Sequence, residues 1–211
     1  MKMKLPATLL LLLSLSLNYL HAQVSTKITY HTNGMLKSLV EKTPDGKRNG
    51  ISVMISEQGS VVLEEHYKNN VLDGEVKKYR SFGKLLEKGT YANGEVHGLY
   101  QKYYENGKLQ EEAEYDAGIK HGKTIWYYQN GNAVTEYNYN KGTLEGEAKT
   151  YYKSGAIKTI SYYLKNNKNG SYREFYEDGT IKVTGKYQKG EKKGKWVYYT
   201  EEGEEERTES Y

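Results

Sequence analysis

Cysteine is absent from all 211 residues, which excludes disulfides, thiol catalysis, cysteine-based metal sites and a lipid-modified cysteine. Proline is nearly absent as well, with only Pro6 and Pro44. Two phenylalanines and two tryptophans, in a composition that is 36% hydrophobic, are too few large apolar groups to fill a thick core. Nor does one sign of charge dominate. Setting Lys2 and Lys4 aside leaves 29 basic against 27 acidic residues, so the formal charge falls from +4 to +2. A nucleic-acid binder needs a basic stripe, and no nucleic-acid partner is expected. Long apolar runs are missing except at the start, from Leu5 to Leu17.

That run follows the basic pair Lys2 and Lys4 and falls short of the ~20 residues that span a bilayer. Residues 1–22 therefore read as a signal peptide, cleaved between Ala22 and Gln23. The expected destination is the periplasm, the cell envelope or the medium.

What the chain has in abundance is tyrosine and glycine, 23 and 22 residues, and both are periodic. Gly50, Gly74, Gly98, Gly122, Gly146, Gly170 and Gly194 recur every 24 residues and are expected to be structural turns. Gly59, Gly83, Gly107, Gly131, Gly155, Gly179 and Gly203 keep the same period nine residues later, and so do Tyr67, Tyr91, Tyr115, Tyr139, Tyr163, Tyr187 and Tyr211. A fixed period of this length marks one supersecondary unit stacked in tandem. The chain after the leader divides into a partial unit (23–49), six full units (50–193) and a terminal unit (194–211), together one domain.

Residues 98–121 show what a unit is. Asn106-Gly107 signals a hairpin with a two-residue type I′ turn, repeated at Asn130-Gly131 and Asp178-Gly179 and opened by Asn33-Gly34. A second turn carries Gly46, Gly94, Gly118, Gly142 and Gly190 at one position, with Asn70 and Asn166 in the other copies. These residues tolerate left-handed backbone. Glycine this dense forbids helix, so the fold is expected to be all-β: an elongated, single-layer antiparallel β-meander of about fifteen strands and ~70 Å. A two-residue loop would pair Glu105 with Lys108, Tyr104 with Leu109 and Tyr100 with Ala113. It would also pair Val76 with Gly89, Thr124 with Tyr137, Ala148 with Ser161 and Tyr172 with Gly185, bulky mostly against small. Tyr100, Tyr104, Leu109, Ala113 and Tyr115 would form the apolar face.

On the opposite face Tyr79, Tyr103, Tyr127, Tyr151, Phe175 and Tyr199 recur at one phase among Lys, Glu, Gln and Thr, roughly 10 Å apart. They are the candidate binding face; the alternative is that the rings pack only on their neighbours. The ends depart from the pattern. Thr43 and Ile55 replace tyrosines, and Glu204, Glu205 and Glu206 occupy the last unit. A charged last strand suits an edge guarded against aggregation, or an acidic tail that recruits a cation or basic partner.

No chemistry stands out. His31, His66, His97 and His121 follow the leader, and His97 and His121 repeat one turn position roughly 10 Å apart, too far to share a metal. No odd cluster breaks the repeat between residues 74 and 200, so neither catalytic residues nor a cofactor or metal is expected. Glycine-rich stretches lack the Lys-Ser ending of a phosphate loop.

The stretch Tyr103 to Gly122, Y-Y-x-N-G-K-L-x-x-E-x-x-Y-x-x-G-x-x-H-G, resembles the bacterial variant of the MORN (membrane occupation and recognition nexus) repeat, and the other copies match it with substitutions. The resemblance implies one β-hairpin per repeat and a non-enzymatic scaffold or protein-binding role, in some members antitoxin-like, with no catalytic residues. An export signal departs from a cytoplasmic antitoxin. A protein partner is the first expectation. Glycan or cell-wall binding through the tyrosine ladder is the second, and membrane-surface association is third, disfavoured by the small net charge.

Overall fold

Two kinds of turn alternate along the chain, and their backbone angles decide the architecture. In the computed structural model, which describes residues 24–211, no helix occurs among those residues. Eighteen strand segments run from Ser25–Tyr30 to Glu205–Ser210. Two of them, Val71–Leu72 and Thr143–Leu144, continue into Gly74–Tyr79 and Gly146–Tyr151 after one residue; eighteen less two leaves sixteen strands. Each strand pairs antiparallel with its sequence neighbours, from Ser25–Tyr30 on Leu36–Lys42 to Glu191–Tyr199 on Glu205–Ser210, giving one open sheet in meander order. The expected leader and its Ala22–Gln23 cleavage point lie outside the described residues.

The Asn-Gly turn is not the type I′ turn the sequence suggests. Tyr104 O accepts from Gly107 N at 3.0 Å and Tyr104 N donates to Lys108 O at 2.8 Å. Only Gly107 has positive φ, +82°. This is a three-residue loop, a type I turn closed by a left-handed glycine. The Asn106 carboxamide favours it, accepting from Lys108 N at 3.0 Å and donating to Gln129 O, one hairpin along, at 3.1 Å. Tyr104 therefore faces Lys108, and Tyr103 rather than Tyr104 pairs with Leu109. Residues paired directly across strands share a face, so Leu109 lies with Tyr103 and not with Tyr100. A bulge between Lys102 and Tyr103 then absorbs the offset. Beyond it the expected pairs hold: Tyr100 with Ala113, Val76 with Gly89, Thr124 with Tyr137, Ala148 with Ser161 and Tyr172 with Gly185.

The type I′ geometry sits at the other end of the strands. Ala117 and Gly118 have φ of 45° and 76°, with the same two-residue turn at Asn69-Asn70, Asn93-Gly94, Lys141-Gly142, Lys165-Asn166 and Lys189-Gly190. Left-handed backbone costs a non-glycine residue ~1–2 kcal/mol. What offsets that cost comes from the preceding repeat. Gly118 N donates to Val96 O at 2.8 Å, Gly94 N to Leu72 O at 2.8 Å, Gly142 N to Lys120 O at 2.8 Å and Gly190 N to Lys168 O at 2.9 Å.

Gly50, Gly74, Gly98, Gly122, Gly146, Gly170 and Gly194 are not turn residues. They lie in or at the start of strands, all with positive φ. Between the pairs Lys120–Tyr115 and Thr124–Ala113 the register slips, leaving three residues opposite Glu114 alone. The Glu114 side chain occupies the space a Cβ on Gly122 would need, as Glu41 does at Gly50, where its Oε2 accepts from Ile51 N at 2.8 Å. All seven glycines answer a demand for positive φ, and Gly50, Gly74, Gly122 and Gly170 also answer the close approach of a side chain.

With no second layer, burial comes from rings laid over small residues of the same face. Ala113 and Thr124 are fully buried, and Val76, Ala148, Ser161 and Trp196 nearly so. Tyr100 lies over Gly89 and Trp196 over Gly185. Edge-to-face pairs continue the cover: Tyr100–Tyr115 at 5.8 Å, Tyr172–Tyr187 at 5.5 Å and Tyr187–Trp196 at 5.0 Å. Near the N-terminal end a small cluster centres on buried Val53 and Ile55, with Leu36, Leu39, Ile51 and Val61 around them. A Gly185→Ala substitution puts a methyl group into the Trp196 indole. It should cost ~1–3 kcal/mol in urea unfolding; an unchanged midpoint would show that the ring does not lie there.

Candidate functional site

Every residue of the aromatic ladder ends a strand. Tyr79 closes Gly74–Tyr79, Tyr103 closes Glu95–Tyr103, and Tyr127, Tyr151, Phe175 and Tyr199 close their own strands just before the Asn-Gly-type turn. Their cross-strand partners are Leu85, Leu109, Ala133, Ile157, Ile181 and Glu205. All six rings are half-buried, so each has both a packed and a wet surface.

Two of the ladder hydroxyls bond neighbouring side chains. Tyr103 donates to Gln101 Oε1 at 2.9 Å and Tyr151 to Glu136 Oε2 at 3.0 Å. Burial, and then the Glu136 carboxylate, push the Tyr151 phenol up to about 12. Burial and Glu64 raise Tyr79 further, and burial with Glu112 and Glu136 raises Tyr127. These phenols are neutral donors at physiological pH. Lys123 meets Glu136 at 2.6 Å, so the background to the rings is mixed in charge.

A second tyrosine series fixes the ladder's backbone. Tyr104 donates to Tyr127 O at 2.6 Å, Tyr128 to Tyr151 O at 3.3 Å, Tyr152 to Phe175 O at 2.7 Å and Tyr176 to Tyr199 O at 2.8 Å. Arg80 takes the same role toward Tyr103 O at 3.2 Å. Five of the six ladder residues, Tyr103, Tyr127, Tyr151, Phe175 and Tyr199, are thus tied by the repeat before them. The doublets Tyr103-Tyr104, Tyr127-Tyr128 and Tyr151-Tyr152 carried this signal in the sequence, which singles out only the first member of each.

One residue does break the repeat between residues 74 and 200, against expectation. Phe82 stands at a hairpin tip where other units have Asn106, Asn130, Ser154 or Asp178, and it is 91% exposed. It lines an open groove of about 600 Å³ with Val62, Tyr79, Arg80, Leu86 and Glu105. A period-based search averages over such a substitution, since the turn tolerates it.

The histidines serve the backbone. His31 Nε2 lies 2.8 Å from Ile55 O, His66 Nδ1 lies 2.7 Å from Glu75 O, and His121 Nδ1 accepts from Lys141 N at 3.5 Å. His97 meets Asp116 at 3.3 Å. Among the described residues no three His, Asp or Glu side chains converge as ligands for one ion.

The family model for the MORN repeat variant matches residues 72–93, 96–117, 120–141, 144–165 and 168–189, together more than half of the chain. No curated protein matches the sequence. Among solved structures, the crystal structure of TcdB2-TccC3 aligns at a TM-score of 0.25 and 12% identity, covering 85% of this chain and 12% of that one. The crystal structure of TcdB2-TccC3-Cdc42 aligns at 0.26 and 13%, with the same coverage.

The raised tyrosines fix the sign of the alkaline response. A folded-state phenol held above its ordinary value of 10 adds stability that is complete below pH 10 and is lost as pH climbs through the folded value, about 12 for Tyr151. Urea midpoints measured in pH steps should hold up to pH 10 and fall by pH 12, less steeply for Tyr151→Phe. A flat midpoint across that window contradicts the burial of these phenols.

Proposed function

The chain belongs to the MORN repeat variant family, and from that premise we propose that it is an exported, non-enzymatic module that presents the aromatic ladder to a protein partner. The observation that carries this is the ladder itself. Six aromatic residues share one phase, each half-exposed, and Tyr103, Tyr127, Tyr151, Phe175 and Tyr199 are held at their carbonyls by the previous repeat. Side chains immobilised before binding lose little entropy in the complex, and aromatic anchors dominate interface energetics. Exposed Phe82 and its groove adjoin Tyr79 and extend the same surface toward the N-terminal end. An immunity-like role toward an exported toxin is the finer form of this proposal, resting on the family alone.

The same even spacing of rings also suits stacking on sugar faces, which is the second reading. One experiment separates the two. The processed protein, its Phe82→Ala variant and its Tyr103→Ala/Tyr127→Ala/Tyr151→Ala variant are crosslinked in the cell envelope and also passed over cell-wall glycan. Phe82→Ala should weaken recovery of a defined protein partner while leaving unfolding within about 0.5 kcal/mol of wild type, since the side chain packs on little. The triple variant should lose the partner. Glycan retention that is lost in the triple variant would move the assignment to the second reading. Equal recovery by all three chains would remove the ladder from the function.

A further inference from the structure

Among the described residues the sheet begins and ends on strands of opposite kind. Each repeat has one strand leading to the Asn-Gly-type turn and one returning from it. Ser25–Tyr30 is of the first kind and Glu205–Ser210 of the second. Each pairs with a described strand on one side only.

We propose that copies of this chain join head to tail, with Glu205–Ser210 of one copy pairing antiparallel with Ser25–Tyr30 of the next. The register follows from the repeat. In the first hairpin Lys27, Ile28 and Thr29 face Val40, Leu39 and Ser38, as Ser52, Val53 and Met54 face Glu65, Glu64 and Leu63 one unit on. Three units further, those positions are Thr124, Ile125 and Trp126, whose partners on the preceding strand are Ala113, Glu112 and Glu111. The equivalents of Ala113, Glu112 and Glu111 in the last strand are Glu209, Thr208 and Arg207. The junction therefore sets Glu209 opposite Lys27, Thr208 opposite Ile28 and Arg207 opposite Thr29.

The charges fit that register. Lys27 is exposed and is the only charged residue of its strand, whereas Glu205–Ser210 carries three glutamates and one arginine. The Glu209 carboxylate is held toward its face by Tyr211 at 2.6 Å and Tyr198 at 2.9 Å. Ile28, 47% exposed at the edge, would be covered as Val53 and Val197 are at the equivalent position inside the sheet. The contact is heterologous and does not close on itself, so it builds linear chains of copies instead of a closed dimer.

The absence of cysteine makes the test direct. One full chain carries Lys27→Cys and another Glu209→Cys; directly opposed strand residues lie within disulfide reach. Mixed under mild oxidation, they should give a linked heterodimer in clear excess over homodimers from either chain. Light scattering of the unmodified protein should show mass rising past two chains with concentration. Lys27→Glu should weaken association roughly two- to fivefold, and joining Glu209→Lys to it in one chain should restore it. Monomer at every concentration, a mass that stops at two chains, or homodimers in equal yield would overturn the proposal.

Discussion

Gly118 N–H to Val96 C=O, with its counterparts in five other repeats, is the bond on which the rest of the sheet depends. In an isolated hairpin the second residue of a type I′ turn points its amide at water. Here that amide reaches the carbonyl 22 residues earlier, so each turn is completed by the unit before it. The bond also explains how Ala117, Lys141, Lys165 and Lys189 keep left-handed backbone. The residue before the bulge glycine adds to it: Asn49, His121 and Asn169 accept from the backbone N–H of Asn69, Lys141 and Lys189. At the opposite end Tyr104, Tyr128, Tyr152 and Tyr176 reach one repeat forward. A chain this poor in large apolar residues is stabilised by coupling between neighbours more than by a central core.

The period, the all-β class and the cross-strand pairs were legible because they rest on residues that repeat. Small against large at Tyr100–Ala113 or Val76–Gly89 can be read without coordinates, and it survived an error in the turn because a compensating bulge restored the register. The turn types were not legible. Asn-Gly fits both a type I′ turn and a type I turn closed by left-handed glycine, and the choice here lies with the Asn106 carboxamide and its bond to the next hairpin. Lys165-Asn166 and Lys141-Gly142 look like poor type I′ sequences because the compensating bond comes from another repeat. The bulge glycines look like turn glycines for a related reason: both need positive φ, and only their place within a strand tells them apart.

The candidate site was half legible. The ladder residues share a phase, and the structure places all six at strand ends. Their partial burial, and the tied hydroxyls of Tyr103 and Tyr151, show that the rings pack on their neighbours while keeping a wet surface. The Tyr104 series and Phe82 were missed for opposite reasons. The first is as periodic as the ladder and hid beside it, and the second is not periodic at all. A regular lattice with variable side chains at fixed positions lets such single departures change the surface without disturbing the fold.

Amide hydrogen exchange resolved by residue tests the coupling between repeats most directly. Gly94, Gly118, Gly142, Asn166 and Gly190 are turn residues that donate to the previous repeat. Their amides should exchange as slowly as those of the flanking strands and lose protection only when the sheet unfolds. If they exchange at the rate of open loop amides while the strands stay protected, the repeats are not joined in this way.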